Sequence, residues 1–461
     1  MNDKDQSREL LEDAARFGIR YREDSVDRRV KPSPEAVANV ERFIEPLPEA
    51  GMPDKAVLSL LDDIGSPATV TMTGPRFFGF VIGGSLPVTV ASNWLATAWD
   101  QNVVMHEVTP ATATLERVAM NWLIELFGLP GESAASFVTG ATVANFTALA
   151  AARNRVYSDI GWNVEADGLI GAPPVTLLVG EEAHPTLMKS LGLLGFGRGT
   201  AIQVPVDGQG RMDVSKLPQI KGPTIVCTQA GNLNTGAFDP VGDICDAVRP
   251  HGVWVHVDGA FGLWAAASPR LQHLCAGVQR ADSWATDAHK WLNVPYDSGV
   301  AIVRDAGALK SAMSITADYL LTETEFRNPS DFTPELSRRA RGVDVWAAFK
   351  ALGREGVAEM IERCCSNARR FADRLRAAGY VVLNDVVLNQ VLVSFGDDAT
   401  TRAIIAAVQE DGTCWCGATV WQGHTAMRIS VCNWSTTTSD VDASLDAILT
   451  IAARHTDAPP R

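Results

Sequence analysis

Apolar positions along this chain fall into two rhythms that alternate through its middle. Short apolar runs stand at Val175–Val179, Ala201–Val206, Thr224–Gln229, Val253–Val257, Ser283–Thr286 and Gly299–Val303. Several are separated by stretches with helical spacing, such as Pro185–Gly195 and Gly242–Val248. Buried strands alternating with helices predict an α/β fold on a mainly parallel sheet covered on both faces.

The ends of the chain read differently. Residues 1 to about 65 are mostly polar and helical in pattern, and Pro32, Pro34, Pro46, Pro48 and Pro53 break them into short pieces that bury little alone. Pro75–Ser85 joins an aromatic cluster to glycines; Phe77 and Phe78 read as buried anchors, and Phe80 to Gly83 as pocket candidates. Asn93–Glu107 is amphipathic and Trp-rich and leads into a helix over Ala111–Phe127. A short apolar stretch from Ser136 turns through Gly140 into a helical run from Val143 to about Val156. From Val343 onward the pattern is α+β: helical runs at Val343–Leu352 and Val357–Ala378, strands at Val381–Leu383 and Val391–Phe395, a helix near Thr401–Glu410 and a strand at Ala426–Val431. The expected organisation is an N-terminal helical segment (1–65), a large domain (66–335) and a small C-terminal domain (336–461).

At 461 residues the chain exceeds the ~250 to 300 residues at which single cores stop growing. Lys and Arg number 40 against 54 Asp and Glu, a net charge of −14, which argues against nucleic acid or an anionic membrane as the main partner. No run is long and uncharged enough to span a bilayer, and the start lacks a secretory apolar stretch, so a cytoplasmic protein is expected. The 8 cysteines show no Cys-x-x-Cys spacing and no adjacent histidines, so neither a metal site nor a disulfide framework is expected; Cys414 and Cys416 would simply share a strand face.

The chemistry concentrates where two strand runs end. Val253-Trp254-Val255-His256-Val257 delivers Asp258, and Ser283-Trp284-Ala285-Thr286 is followed by Asp287-Ala288-His289-Lys290-Trp291. Open α/β sheets bind ligands outside the carboxyl ends of their strands, so Asp258 and Lys290 would meet at one rim. A lysine in an enclosed site forms a Schiff base with an aldehyde, and a nearby carboxylate pairs with a protonated pyridine nitrogen; together they suggest pyridoxal 5'-phosphate. A helix starting after Gly140 offers backbone N–H groups and a positive dipole end to a phosphate, and Thr142 adds a hydroxyl.

These residues resemble the pyridoxal-phosphate-dependent group II amino acid decarboxylases, which include the aromatic amino acid and glutamate decarboxylases. His-Val-Asp-Gly-Ala at 256–260 is similar to the family's cofactor aspartate segment, and Asp-Ala-His-Lys-Trp at 287–291 to its Schiff-base segment. Glu-Glu-Ala-His at 181–184, Phe-Val-Thr-Gly-Ala-Thr at 137–142 and Thr-Gly-Ala-Phe-Asp-Pro at 235–240 complete an ordered set running from about Pro75 to near the C-terminus. The resemblance implies fold type I, the aspartate aminotransferase-like seven-stranded architecture with a small α+β C-terminal domain. It implies Lys290, His184 and Asp258 as catalytic residues, with Ala141, Thr142, Asn232, Ala260 and His289 also holding the cofactor. His184 would stack on the cofactor ring, Ala260 would lie on its opposite face, and His289 would serve the phosphate or a proton transfer. Phe80, Gly83, Asn102 and Val104 would face a small amino acid substrate. A homodimer with shared active sites, into which residues 1 to about 65 pack, is the family's habit.

Three departures bear on the reaction. Gly231-Asn232-Leu233 stands where the family often has Gly-Thr-Thr, so Asn232 or Asn234 would replace a hydroxyl. The stretch from Leu320 to Pro334, where the family's mobile loop commonly carries a proton-donating tyrosine, holds none, and in similar enzymes phenylalanine there accompanies aldehyde formation. Asn102, Val104 and His106 occupy positions that aromatic decarboxylases fill with larger apolar groups, which admits a polar or acidic substrate side chain. The expected activity is decarboxylation of an L-amino acid. A decarboxylating aldehyde synthase, another lyase or aminotransferase of the fold, and a cofactor-binding regulatory protein without turnover are the alternatives.

Overall fold

The computed structural model describes residues 3–315 and 326–455. Its strands, in chain order, are β1 (Phe77–Phe78), β2 (Ala134–Val138), β3 (Thr176–Gly180), β4 (Ile202–Val204), β5 (Thr224–Gln229), β6 (Trp254–Asp258), β7 (Ser283–Asp287), β8 (Gly299–Val303), β9 (Val381–Val382), β10 (Gln390–Ser394), β11 (Trp415–Trp421) and β12 (His424–Ser430). By contacts the chain groups into two units: Ser85–Arg369 with Asn384–Gln390, and Met1–Gly84 with Arg370–Leu383 and Val391–Arg461. This grouping interleaves the chain, whereas the ranges 1–65, 66–335 and 336–461 follow chain order.

The larger unit is built on a seven-stranded sheet in the order β2-β8-β7-β6-β5-β3-β4. β8 runs against both β2 and β7, and every other neighbouring pair is parallel, so six strands point one way. This is the mainly parallel sheet that the alternation of apolar runs predicts. Every residue of β5, β6, β7 and β8 is buried, as strands covered on both faces require. The helix Ala141–Ser158 turns Ala144, Ala148, Ala151 and Ala152 toward this core, all at 0% exposure. Their spacing follows the helical period, and their small side chains let the helix lie close to the sheet.

The smaller unit holds a five-stranded sheet in the order β1-β11-β12-β10-β9. β11 and β12 form a hairpin closed by Gln422 and Gly423, both at positive φ, the turn whose twist matches paired strands. β1 pairs with β11 in parallel, and Phe77 stacks on Trp415 at 5.1 Å while Phe78 meets Phe371 edge-on at 5.0 Å. The two phenylalanines are therefore the buried anchors the sequence suggests. The pairing of β1 does not follow from the sequence pattern alone, whereas the final helix Thr438–His455, not named from the sequence, buries Val441, Leu445, Ile448 and Ala452 at helical spacing. Cys414 and Cys416 are both fully buried, and none of the 8 cysteines is in a disulfide. Among the described residues, no helix is long and apolar enough to cross a membrane.

Candidate active site

The carboxyl ends of β2, β3, β6 and β7 share one edge of the larger sheet, and each releases a residue singled out by the sequence. Gly140 to Thr142 follow β2, His184 follows β3, Asp258 ends β6, and Lys290 follows β7. Register fixes their levels: Asp287 lies opposite Gly299, which lies opposite Val138, and Asp258 lies opposite Ala285.

Glycine makes the first part of this edge possible. A Cβ on Gly299 would lie 2.4 Å from the Gly140 Cα, so no larger residue lets the start of the helix Ala141–Ser158 settle there. Gly140 is the N-cap and supplies no side-chain cap, which leaves the first N–H groups of an 18-residue helix facing this edge. A Cβ on Gly140 would lie 3.2 Å from His289 Cε1 and 3.6 Å from Asp287 Oδ1, so the helix start, His289 and Asp287 converge. The uncapped N–H groups, the dipole and the glycine cradle fit a phosphate group.

Asp258 is buried and held by a chain of hydrogen bonds with one direction. Its Oδ1 accepts the Ala260 N–H at 3.2 Å and its Oδ2 accepts Asn145 Nδ2 at 3.0 Å. A carboxylate only accepts, so Asn145 must turn its Oδ1 to His256, whose Nε2 donates at 2.8 Å. The remaining His256 nitrogen, Nδ1, then accepts from Ser283 Oγ at 2.9 Å, and Ser283 Oγ accepts the Trp254 indole N–H at 2.9 Å. Burial pushes the His256 imidazole down to about 3, so the ring is neutral and the chain of hydrogen bonds runs toward Asp258.

Lys290 is half-buried with its Nζ 3.1 Å from Asp287 Oδ2. His289 is buried, its Nδ1 accepting the Ser298 N–H at 3.1 Å, its Nε2 3.6 Å from Asp287 Oδ2, and its ring stacked on Tyr296 at 4.2 Å. Burial holds the His289 imidazole below its ordinary value, against the opposing pull of Asp287.

The other sequence candidates are placed as follows. His184 is the N-cap of the helix Pro185–Leu193, its Nδ1 accepting the Thr186 N–H at 3.2 Å, which fixes the ring at the start of that helix. Asn232 is buried and closes its own turn, accepting from Asn234 N at 2.8 Å and Thr235 N at 3.2 Å while donating to Glu182 at 3.2 Å. Ala260 is half-buried, and its carbonyl accepts the Asp287 N–H at 2.9 Å, tying the turn after β6 to the end of β7. Asn102 bonds Arg338 N at 3.0 Å and Ser337 Oγ at 3.3 Å, and the Val104 carbonyl accepts Ser330 N at 3.1 Å, so this stretch is stitched to the 328–338 segment. His106 stacks on Phe326 at 4.2 Å and donates its N–H to Asn328 Oδ1 at 3.4 Å. Phe80 and Gly83 belong to the smaller unit, where Phe80 is 58% exposed and tilts over Trp415. Of the tyrosine-free stretch from Leu320 to Pro334, residues 320–325 lie outside the described residues.

Sequence reasoning assigned no role to Asn145, His256, Ser283 or Asp287. A signal existed for His256, since it shares a strand face with Asp258 two residues on, and for Asp287, which stands one helical turn before Lys290.

Comparison with known proteins matches residues 44–396 to the family model for the pyridoxal-dependent decarboxylase conserved domain. An acidic amino acid decarboxylase of Bos taurus is 30% identical over 340 residues, which cover 71% of this chain and 64% of that relative's length. An aromatic-L-amino-acid decarboxylase of Bacillus atrophaeus is 30% identical over 292 residues, covering 60% of this chain and 58% of the relative. A crystal structure of Oryza sativa TDC with PLP and tryptamine superposes with a TM-score of 0.90 at 22% identity, covering 98% of this chain and 99% of that one, a likeness of fold.

Proposed function

The chain belongs to the pyridoxal-dependent decarboxylase family, and from that premise we propose that it removes the carboxylate of an L-amino acid as carbon dioxide, with Lys290 as the covalent anchor of the cofactor. The observation that carries this reading is the arrival of Lys290, Asp258 and the uncapped start of the helix Ala141–Ser158 at one edge of one sheet. When bound, pyridoxal 5'-phosphate supplies an aldehyde that condenses with an amine and a pyridine ring that draws electrons from the bond to be broken.

Each residue then has a task at a stated atom. The N–H groups of Ala141 and Thr142, the Thr142 hydroxyl and His289 Nε2–H would hold the phosphate. Asp258, held in place by Asn145 Nδ2 and the Ala260 N–H, would pair with the pyridine nitrogen and keep it protonated. His184 and Ala260 would lie against the two ring faces, and Asn232 would steady the loop after β5. Lys290 Nζ would anchor the cofactor and hold the proton that the substrate amine gives up. Phe80, Gly83, Asn102 and Val104 are assigned to the substrate's surroundings by family resemblance, with a homodimer sharing its active sites. The 8 free, buried thiols support a reducing compartment, and we place the protein in the cytoplasm.

One observation favours a second outcome. Phe326, stacked on His106, stands within the stretch where the family commonly carries its proton-donating tyrosine, so some turnover would end in aldehyde, ammonia and peroxide rather than amine. The test is a panel of amino acids that includes acidic and aromatic side chains, the classes in the names of the two relatives above. Carbon dioxide release that Lys290→Ala abolishes supports decarboxylation, peroxide and ammonia mark the aldehyde route, and bound cofactor without release from any substrate would leave a binding protein.

A further inference from the structure

Asp287 stands in an unusual electrostatic position. It is 2% exposed, its Oδ2 contacts Lys290 Nζ at 3.1 Å, and its Oδ1 has no hydrogen-bond partner among the described residues. That unpartnered oxygen faces the start of the helix Ala141–Ser158, where a Cβ on Gly140 would come within 3.6 Å of it. A buried carboxylate oxygen without a donor is costly to keep. Among the described residues the cation paired with it is Lys290, and Lys290 Nζ is the atom the cofactor's aldehyde would engage.

A phosphate arriving at the helix start would therefore bring a second anion beside a buried carboxylate that is losing its cation. Like charges in a site removed from water do not both persist; one group takes up a proton. His289 is closed to that proton. Its Nδ1 already accepts the Ser298 N–H at 3.1 Å, so its own hydrogen sits on Nε2, and a second on Nδ1 would collide with that of Ser298. Burial also favours the neutral ring. Of the other groups around the pair, Asp297 is engaged by Arg341 at 2.7 Å, and Tyr296, stacked on the imidazole, is 52% exposed.

We propose that the Asp287 carboxyl takes up one proton from solvent when the cofactor's phosphate settles at the start of the helix Ala141–Ser158, and then donates it as a hydrogen bond to a phosphate oxygen. No heavy-atom bond changes at Asp287. Cofactor retention is therefore proton-linked: affinity weakens by about tenfold for each unit rise in pH where the free carboxyl is ionised. This rests on the pyridoxal phosphate reading of the site but not on decarboxylation.

The test uses full-length protein stripped of cofactor and titrated calorimetrically with pyridoxal phosphate at about pH 8, where a free phosphate monoester is a dianion. Buffers of different ionisation enthalpy report the protons taken up, and pyridoxal without phosphate serves as a comparison ligand. With pyridoxal phosphate, the protein is expected to take up about one proton more than Asp287→Asn; with pyridoxal, the two should match. Equal proton counts with pyridoxal phosphate would overturn the proposal. Failure of the unaltered protein to bind pyridoxal phosphate at all would overturn the cofactor reading and the proposal with it. If Asp287→Asn does not fold, an infrared difference spectrum of loaded minus free protein labelled with carbon-13 aspartate gives the answer without it. A label-sensitive protonated carboxyl band should appear on loading, and its absence would overturn the proposal.

Discussion

Asn145 Nδ2 donates to Asp258 Oδ2 at 3.0 Å and thereby joins the carboxylate to a buried neutral histidine. Asn145→Ala would leave both Asp258 and His256 short of a partner. A hydrogen bond to a charged group is worth ~1.5–3 kcal/mol, so turnover should fall by about ten- to a hundredfold. Cofactor content should fall much less, because the phosphate anchor at Gly140 to Thr142 is untouched. Equal losses of turnover and content would make the network a purely structural one.

His256 gives the fold a defined acid sensitivity. Its folded-state value lies at about 3, below the ordinary 6.5, so the unfolded chain binds a proton that the folded protein refuses. Its contribution is complete above 6.5 and is lost as pH falls from there toward about 3, at up to ~1.4 kcal/mol per pH unit. His256→Gln, which does not titrate, should show a shallower loss of stability across that window in urea melts at stepped pH. An unchanged slope would mean that other groups carry the acid transition.

The contact of Gly299 with Gly140 predicts a local effect on the cofactor. A methyl group on Gly299 would lie 2.4 Å from the Gly140 Cα, and such overpacking costs ~1–3 kcal/mol. Gly299→Ala should shift the helix start and weaken cofactor binding by about tenfold or more, read by fluorescence titration. Gly208→Ala, where a Cβ meets nothing within 4 Å, should leave binding unchanged. Matching affinities for the two variants would contradict the glycine cradle.

Part of this site is legible in the sequence, for a physical reason. Asp258 and Lys290 each follow an apolar strand run, and a charge delivered by a buried strand needs a partner. The helix after Gly140 shows itself by its periodic alanines. Asn145 escapes the same reading because a lone amide in an alanine-rich helix reads as solvent-facing, and its partner Asp258 lies 113 positions away. Asn232 reads as a cofactor ligand from its place in the motif alone; that its amide also closes its own turn is set by loop conformation, which periodicity does not carry. The two-residue β1 is hidden because its partner Trp415 is far along the chain, and so short a pairing leaves no rhythm.

The N-terminal segment gives a prediction for assembly. Leu11, Ile19, Ile44 and Leu47 are 68%, 51%, 76% and 92% exposed, apolar side chains that a second subunit would cover. Full-length protein should sediment as a dimer, and removal of residues 1–60 should give inactive, aggregation-prone protein. A truncated chain that stays monomeric, soluble and fully active would show that the segment is dispensable and that each subunit has a self-contained site.

The covalent role of Lys290 is the claim on which the chemistry turns, and borohydride trapping tests it most directly. Protein loaded with pyridoxal phosphate is reduced, digested and mapped by mass spectrometry. The reduced cofactor should lie on the peptide that contains Lys290, and Lys290→Ala should carry none while remaining folded by circular dichroism. A reduced cofactor on another lysine, or a label retained in Lys290→Ala, would contradict the assignment.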